Sequence, residues 1–271
     1  MAINFAAITP HPPILVPEVG GKEAQKIKKT RKAMEKLAED LNKAEPDALI
    51  VISPHGLVYP DKMNICGMPK LSGNLAQFGA PQVSLKFDNN LDLAKKIVQK
   101  CQQQKVDTIL YDNGTKNHEL DHGIIVPLYF LIQKLERSVR VLPITYSFLD
   151  RQIHFKFGEI LAEILTTMSD NVAIIASGDL SHRLLPSSPT GYSIAGKKFD
   201  EKLIQYLKSK NTKGILNLDG EFVERAGECG LRSILILLGA LSGLNYKTEV
   251  LSYEGPFGVG YLVTNFKLGV L

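Results

Sequence analysis

Five short runs dominated by consecutive apolar residues recur along the sequence, at Ile3–Ile8, Ala48–Ser53, Thr108–Tyr111, Arg140–Tyr146 and Val172–Ser177, with longer helical patterns between them. A strand that is apolar on both faces must be covered on both. The strand-helix-strand crossovers of a parallel sheet provide that cover, because they lay helices over each face. The helical patterns are Glu23–Asn42, with apolar positions at Ile27, Met34 and Leu37, then Leu91–Gln104, Ile124–Leu135, Gln152–Met168, Ser193–Lys208 and Leu231–Leu241. Their lengths suit helices that pack on a sheet. Between Tyr59 and Phe87 the chain is short-stranded and rich in Gly and Pro, while Lys247–Tyr253 and Gly260–Phe266 read as two further strands. The pattern predicts an α/β fold over residues 1–271 as a single domain: a mainly parallel central sheet, helices on both faces, and extra antiparallel edge strands.

Composition excludes several classes of function. With 44% hydrophobic and 22% charged residues among 271, the chain has a globular balance rather than a disordered or fibrous one. The net charge of +4 is spread along helical stretches, there is no Trp, and no basic and aromatic residues interleave, so nucleic acid is not the expected partner. No apolar run approaches the roughly 18 residues of a membrane span, and the Pro-interrupted N-terminus reads as neither a signal peptide nor an anchor. Three cysteines, Cys66, Cys101 and Cys229, show no CxxC spacing, which points to a reducing, cytoplasmic setting.

The six histidines are placed informatively. His11 follows the first strand in ITPHPP, His55 the second in VISPHG, His182 a later strand in ASGDLSH, and His122 opens a helix in LDHGIIVPL. Loops leaving the carboxyl ends of parallel strands share one crevice, where ligands bind, so these four imidazoles are expected to converge. His118 and His154 read as structural. Two imidazoles need a third anchor to hold a metal, and Glu228 lies just ahead of an apolar helix; two His and one carboxylate make the facial triad of non-haem Fe(II) enzymes. Glu224 and Cys229 are rival ligands within about one helical turn of Glu228. Tyr59, Tyr146 and Tyr192 read as packed amphipaths, Arg183 as a surface cation or a partner for a substrate carboxylate, and Pro256–Gly260 as a turn.

The order PHPP, SPHG, LDHGIIVPL, ASGDLSH and GECGLRS resembles the class III extradiol ring-cleaving dioxygenases, over nearly the whole chain. The resemblance implies that His11, His55 and Glu228 bind Fe(II), that His182 is the acid–base residue, and that His122 lines the pocket. It also implies a small aromatic substrate of the catechol or aminophenol type, O2 as co-substrate, and a homodimer or a small partner subunit. SPHG and ASGDLSH are also similar to the Memo-like branch of the superfamily, which keeps the fold, carries a cysteine in the metal site and has no established ring-cleaving role. Cys229 keeps that branch open.

The chemistry stands without the family. A catechol that chelates iron must lose protons, and a neutral imidazole is matched to taking one and returning it. His182 is the candidate, with Asp179 and Ser181 as expected supports. A zinc hydrolase is formally allowed by two His and a carboxylate, but no other feature favours it.

Overall fold

The computed structural model describes residues 3–269. In chain order the regular elements begin with β1 (Ile3–Thr9), α1 (Pro17–Gly20), α2 (Lys28–Ala44), β2 (Ala48–Ser53), β3 (Met63–Cys66), β4 (Lys70–Leu75) and β5 (Ala80–Asp88). Next come α3 (Leu91–Gln103), β6 (Thr108–Tyr111), β7 (Asn117–Glu119), α4 (His122–Leu131), β8 (Arg140–Thr145), α5 (Arg151–Leu165) and β9 (Val172–Ser177). The chain continues through α6 (Ile194–Lys208), α7 (Thr212–Leu216), α8 (Gly220–Ala226) and α9 (Leu231–Ala240) to β10 (Tyr246–Glu254) and β11 (Tyr261–Leu268).

Eight strands form the main sheet in the order β10-β11-β1-β9-β2-β8-β3-β6. Its centre, β1, β9, β2 and β8, is parallel. There β2 and β9 are buried at every position, as continuous apolar runs require. Strand β11 pairs antiparallel with β1 and β10 pairs antiparallel with β11, so the expected antiparallel edge is present on that side.

Helices cover both faces. One core layer packs Phe157, Ile160 and Leu161 of α5 and Ile234 to Leu238 of α9 against Ile50, Ile52 and Ile174. The other packs Met34, Leu37 and Leu41 of α2 and the apolar residues of α4 against Leu49, Val51 and Ile175. At α4 the sequence HGIIVPLYFL is buried almost all round, which a helix lying only on a sheet does not need.

The segment Tyr59–Phe87 explains this burial and departs in part from the expected excursion. Strand β3 enters the main sheet, antiparallel to β8 and parallel to β6. The hairpin β4–β5 instead joins β7 in a separate three-stranded sheet, whose Leu71, Leu75, Ala80 and Val83 close over α4. Expected helix Glu23–Asn42 opens with a 3₁₀ turn at Glu23–Ile27, and Ile124–Leu135 ends in another at Ile132–Lys134. Short α7 and α8, too brief for a periodic signal, lie between the last long helices.

Candidate metal centre

The ends of β1 and β2 and the start of α4 bring three of the four expected histidines together, while His182, after β9, stands outside this group. Ring nitrogens of His11, His55 and His122 all come within 4.8 Å of one another. His11 Nε2 and His55 Nε2 are 3.0 Å apart, and the His55 and His122 rings lie 4.2 Å apart at 33°. His11 is 2% exposed; His55, His122 and His182 are half-buried.

Two glycines permit this convergence. A Cβ on Gly123 would stand 2.5 Å from Ser53 Oγ and 3.2 Å from the His55 ring, so only glycine lets the first turn of α4 bring His122 against the end of β2. A Cβ on Gly178 would stand 2.2 Å from Gly230 Cα. That close approach seats Cys229 beside Asp179, whose N–H donates to Cys229 Sγ at 3.3 Å.

The protonation of His11 follows from its neighbours. Pro127 has no N–H, so it cannot donate to the Gly123 carbonyl four residues earlier, and the Ser177 hydroxyl donates there instead. A hydroxyl has one proton. Ser177 Oγ can therefore only accept from His11 Nδ1, 3.0 Å away, which fixes the proton on Nδ1 and leaves the Nε2 lone pair facing the cluster. The His11 N–H donates to Asp179 Oδ1 at 3.0 Å, tying the loop after β1 to the loop after β9.

All four imidazoles are neutral lone-pair donors near pH 7. Burial, then the neighbouring histidines, hold His11 well below its ordinary range. Burial and then His55 push His122 down to about 4. Burial lowers His55, and burial and then His55 lower His182. The buried Nε2 of His182 has no hydrogen-bond partner. Burial alone pushes the Asp179 carboxyl up to about 7.

This donor set fits a transition metal. Two imidazole nitrogens bound at a right angle to one ion, each at about 2.1 Å, stand about 3.0 Å apart, which is the separation of the His11 and His55 nitrogens. The expected third ligand does not join them. Glu228 is outside the histidine cluster; its Oε2 accepts the Leu231 N–H at 2.6 Å at the start of α9, where a carboxylate satisfies a free helix N–H. His122, expected to line the pocket, stands in the cluster instead, and Cys229 Sγ lies 3.7 Å from His11 Nε2.

Other expectations resolve individually. Asp179 supports His11 rather than His182. Ser181 Oγ donates to Ala226 and accepts from the Arg183 N–H, while its own N–H goes to Asp200, so both groups shape the His182 loop. Arg183 Nε reaches Thr190 Oγ1 at 3.3 Å. Tyr146 is buried and donates to the Cys229 carbonyl at 3.1 Å, whereas Tyr192 is 60% exposed. His154 is a core residue, its ring nitrogens 2.9 and 3.0 Å from the Asp150 and Ser147 carbonyls. His118 lies in β7. The residues that sequence reasoning missed are Ser177, Ser53 and Asp121: Ser53 Oγ donates to Asp121 Oδ1 at 2.8 Å, bracing the loop that carries His55 against the start of α4.

Comparison with known proteins agrees with this architecture. A protein of Clostridium acetobutylicum, "Protein CA_C1420", is 40% identical over 96% of the chain, which spans 57% of that longer protein. A "MEMO1 family protein" of Methanosarcina mazei is 27% identical over 48% of the chain and 46% of its own length. The 3,4-dihydroxyphenylacetate 2,3-dioxygenase of Escherichia coli is 24% identical over 51% of the chain and 53% of its own length. The crystal structure of the uncharacterized protein JW3007 from Escherichia coli K12 superposes with a TM-score of 0.66 at 17% identity, covering 96% of this chain and 98% of that one; this likeness is one of fold. Residues 5–264 match the family described as the catalytic LigB subunit of aromatic ring-opening dioxygenase. The chain belongs to that family.

Proposed function

We propose that the protein is a metal-dependent dioxygenase that opens the ring of a small catechol- or aminophenol-type substrate with O2, using Fe(II) held by His11 and His55. The observation that carries this reading is the convergence of three neutral imidazoles, His11, His55 and His122, at the mouth where the strand ends meet. His122 or Cys229 completes the donor set in place of Glu228. Bound iron would supply an open face at which a chelating substrate and O2 meet.

The chain's own residues prepare that face. Ser177 and Asp179 hold His11 in one tautomer and orientation. Asp121 and Ser53 hold the turn before His55 and the first turn of α4 in register. His182, neutral and with Nε2 unpartnered, takes a hydroxyl proton from the substrate and returns it to the opening product. Phe78 packs edge-on to His122 at 5.3 Å.

The assay is oxygen uptake by Fe(II)-reconstituted protein with catechol, protocatechuate, gallate and 2-aminophenol. Uptake with a yellow ring-opened product supports the reading; absence of uptake with all four contradicts it. A second reading has its own observation. With Cys229 near His11 and Glu228 turned to α9, the site has the cysteine that marks the Memo-like branch. Under that reading the same protein binds one metal ion per chain and consumes no O2. The chain spans little more than half of its 40%-identical relative, so the activity proposed is that of this domain.

A further inference from the structure

Helix α6 turns one stripe of its surface inward, and that stripe reads Ala195, Gly196, Phe199, Asp200, Leu203 and Leu207. Asp200 is the exception to its apolar character, and it is fully buried. A carboxylate taken out of water on the apolar face of a helix is costly unless donors meet it, and an aliphatic side chain would fill the position at less cost. The donors that do meet it define its role. Asp200 Oδ1 accepts the Ser181 N–H at 2.9 Å, and Oδ2 accepts the Tyr253 hydroxyl at 2.7 Å. The carboxylate thus joins α6 to strand β10 and to the loop after β9 that carries His182.

The three pieces approach closely. A Cβ on Gly196, one helical turn before Asp200, would collide with Ser181 Oγ and the Arg183 carbonyl, and a Cβ on Gly260 would collide with Asp200 Oδ2. Gly260 also exchanges backbone bonds with the loop: its carbonyl accepts from Leu180 and its N–H donates to the Ser181 carbonyl, each at 2.8 Å. His182 follows directly, its N–H donating to the Gly227 carbonyl at 3.0 Å and its carbonyl accepting from Thr190 Oγ1 at 3.1 Å. Asp200 supplies the charged acceptor in this set, and a carboxylate holds an N–H more strongly than a carbonyl does. His182 lies near enough to the cluster for its charge to bear on His11 and for that of His55 to bear on it.

We propose that Asp200 is a positioning residue for His182: through Ser181 it fixes the course of the backbone that holds the His182 imidazole beside the histidine cluster. Asp200 acts through the backbone and is not a catalytic residue. The inference rests on the proposed function only for what His182 does in turnover, since the anchoring is a property of the metal-free chain.

The test is amide hydrogen exchange in the metal-free full chain, read at His182, whose own bond to Gly227 no variant removes. The amides of β9 report global opening and serve as the reference. Asp200→Ala should speed His182 exchange at least about tenfold relative to β9, the lower end of what losing a charged hydrogen bond costs. Asp200→Asn keeps an oxygen for the Ser181 N–H and should restore the protection. Leu203→Ala, on the same inward stripe, should loosen α6 and speed both sets alike. Tyr253→Phe frees Oδ2 without emptying the core, and it serves where Asp200→Ala fails to fold by circular dichroism; it should speed His182 at least about threefold relative to β9, as for one neutral hydrogen bond. In an active protein, Asp200→Ala should lower kcat for oxygen uptake at least about tenfold, with KM within about twofold and iron content unchanged, and Asp200→Asn should recover it. His182 exchange that tracks β9 in every folded Asp200 and Tyr253 variant would overturn the proposal, as would an unchanged kcat in Asp200→Ala. If the unsubstituted chain consumes no O2, the ring-opening reading fails, and the exchange rates still decide whether Asp200 holds His182 in place.

Discussion

Replacing Ser177 with alanine probes the network that makes His11 a ligand. Ser177 is fully buried, and its hydroxyl accepts from His11 Nδ1 while donating to the Gly123 carbonyl that Pro127 cannot serve. Alanine leaves both groups without their partner in a region closed to water. Each buried polar group left unpaired costs about 1–3 kcal/mol, so the metal-free protein should lose about 2–4 kcal/mol. The larger consequence is for metal affinity. Without an acceptor on the Nδ1 side, the proton is free to move to Nε2 and the ring is free to turn, and losing such a supporting partner ordinarily costs about 10–100-fold in affinity. Urea unfolding of metal-free protein measures the first quantity; competition with a chromophoric chelator measures the second. Affinity within about twofold of the unsubstituted protein, a change of only about 0.4 kcal/mol, would refute the assignment of the tautomer by Ser177 and Pro127.

Gly123→Ala should be more disruptive than an ordinary helix substitution, which would favour alanine. Its Cβ would meet Ser53 Oγ at 2.5 Å and must displace α4 or β2, lowering the melting temperature and metal stoichiometry together. A stabilised protein with full metal binding would show that the contact is not needed. Cys229→Ser should weaken metal binding and Glu228→Gln should leave it near full occupancy, as measured by metal analysis after gel filtration; the opposite ranking would restore the carboxylate as ligand. His182→Phe should keep the metal and abolish oxygen uptake, and undiminished uptake would remove its acid–base role.

Acid should destabilise the metal-free protein. Six histidines have pKa values lowered in the fold, so between about pH 6.5 and pH 4 the unfolded chain binds protons there that the folded chain does not. Four buried carboxyls, Asp121, Asp179, Asp200 and Glu228, are raised and act in the opposite direction. The imidazoles outnumber them, so stability should fall as pH drops through that window. Unfolding midpoints that rise as pH is lowered from 6.5 to 4.5 would contradict the sign.

The parallel centre of the sheet was legible because β1, β2, β8 and β9 are apolar on both faces, a pattern with few other uses. The small sheet was not. Strand β5, APQVSLKFD, alternates buried and exposed over part of its length, and β7 has three residues, so neither announces which sheet it joins. The strand-end histidines could be read from position alone, since carboxyl ends of parallel strands share a rim. The choice between Glu228 and Cys229 could not be, because adjacent residues at a helix start point in different directions and only the packing of Gly178 on Gly230 decides which one meets His11. Pro127 lies within the expected helix Ile124–Leu135, where nothing in the sequence marked its role. Its consequence required knowing that Ser177 lies beside the carbonyl it leaves free.

The proposed function requires that His11 and His55 hold one metal ion together. Anaerobic reconstitution with Fe(II) followed by metal analysis of the unsubstituted chain and of His55→Ala tests it most directly. One iron per chain is expected in the first and a large loss in the second. Full iron occupancy in His55→Ala, or no retained metal in the unsubstituted chain, would contradict it.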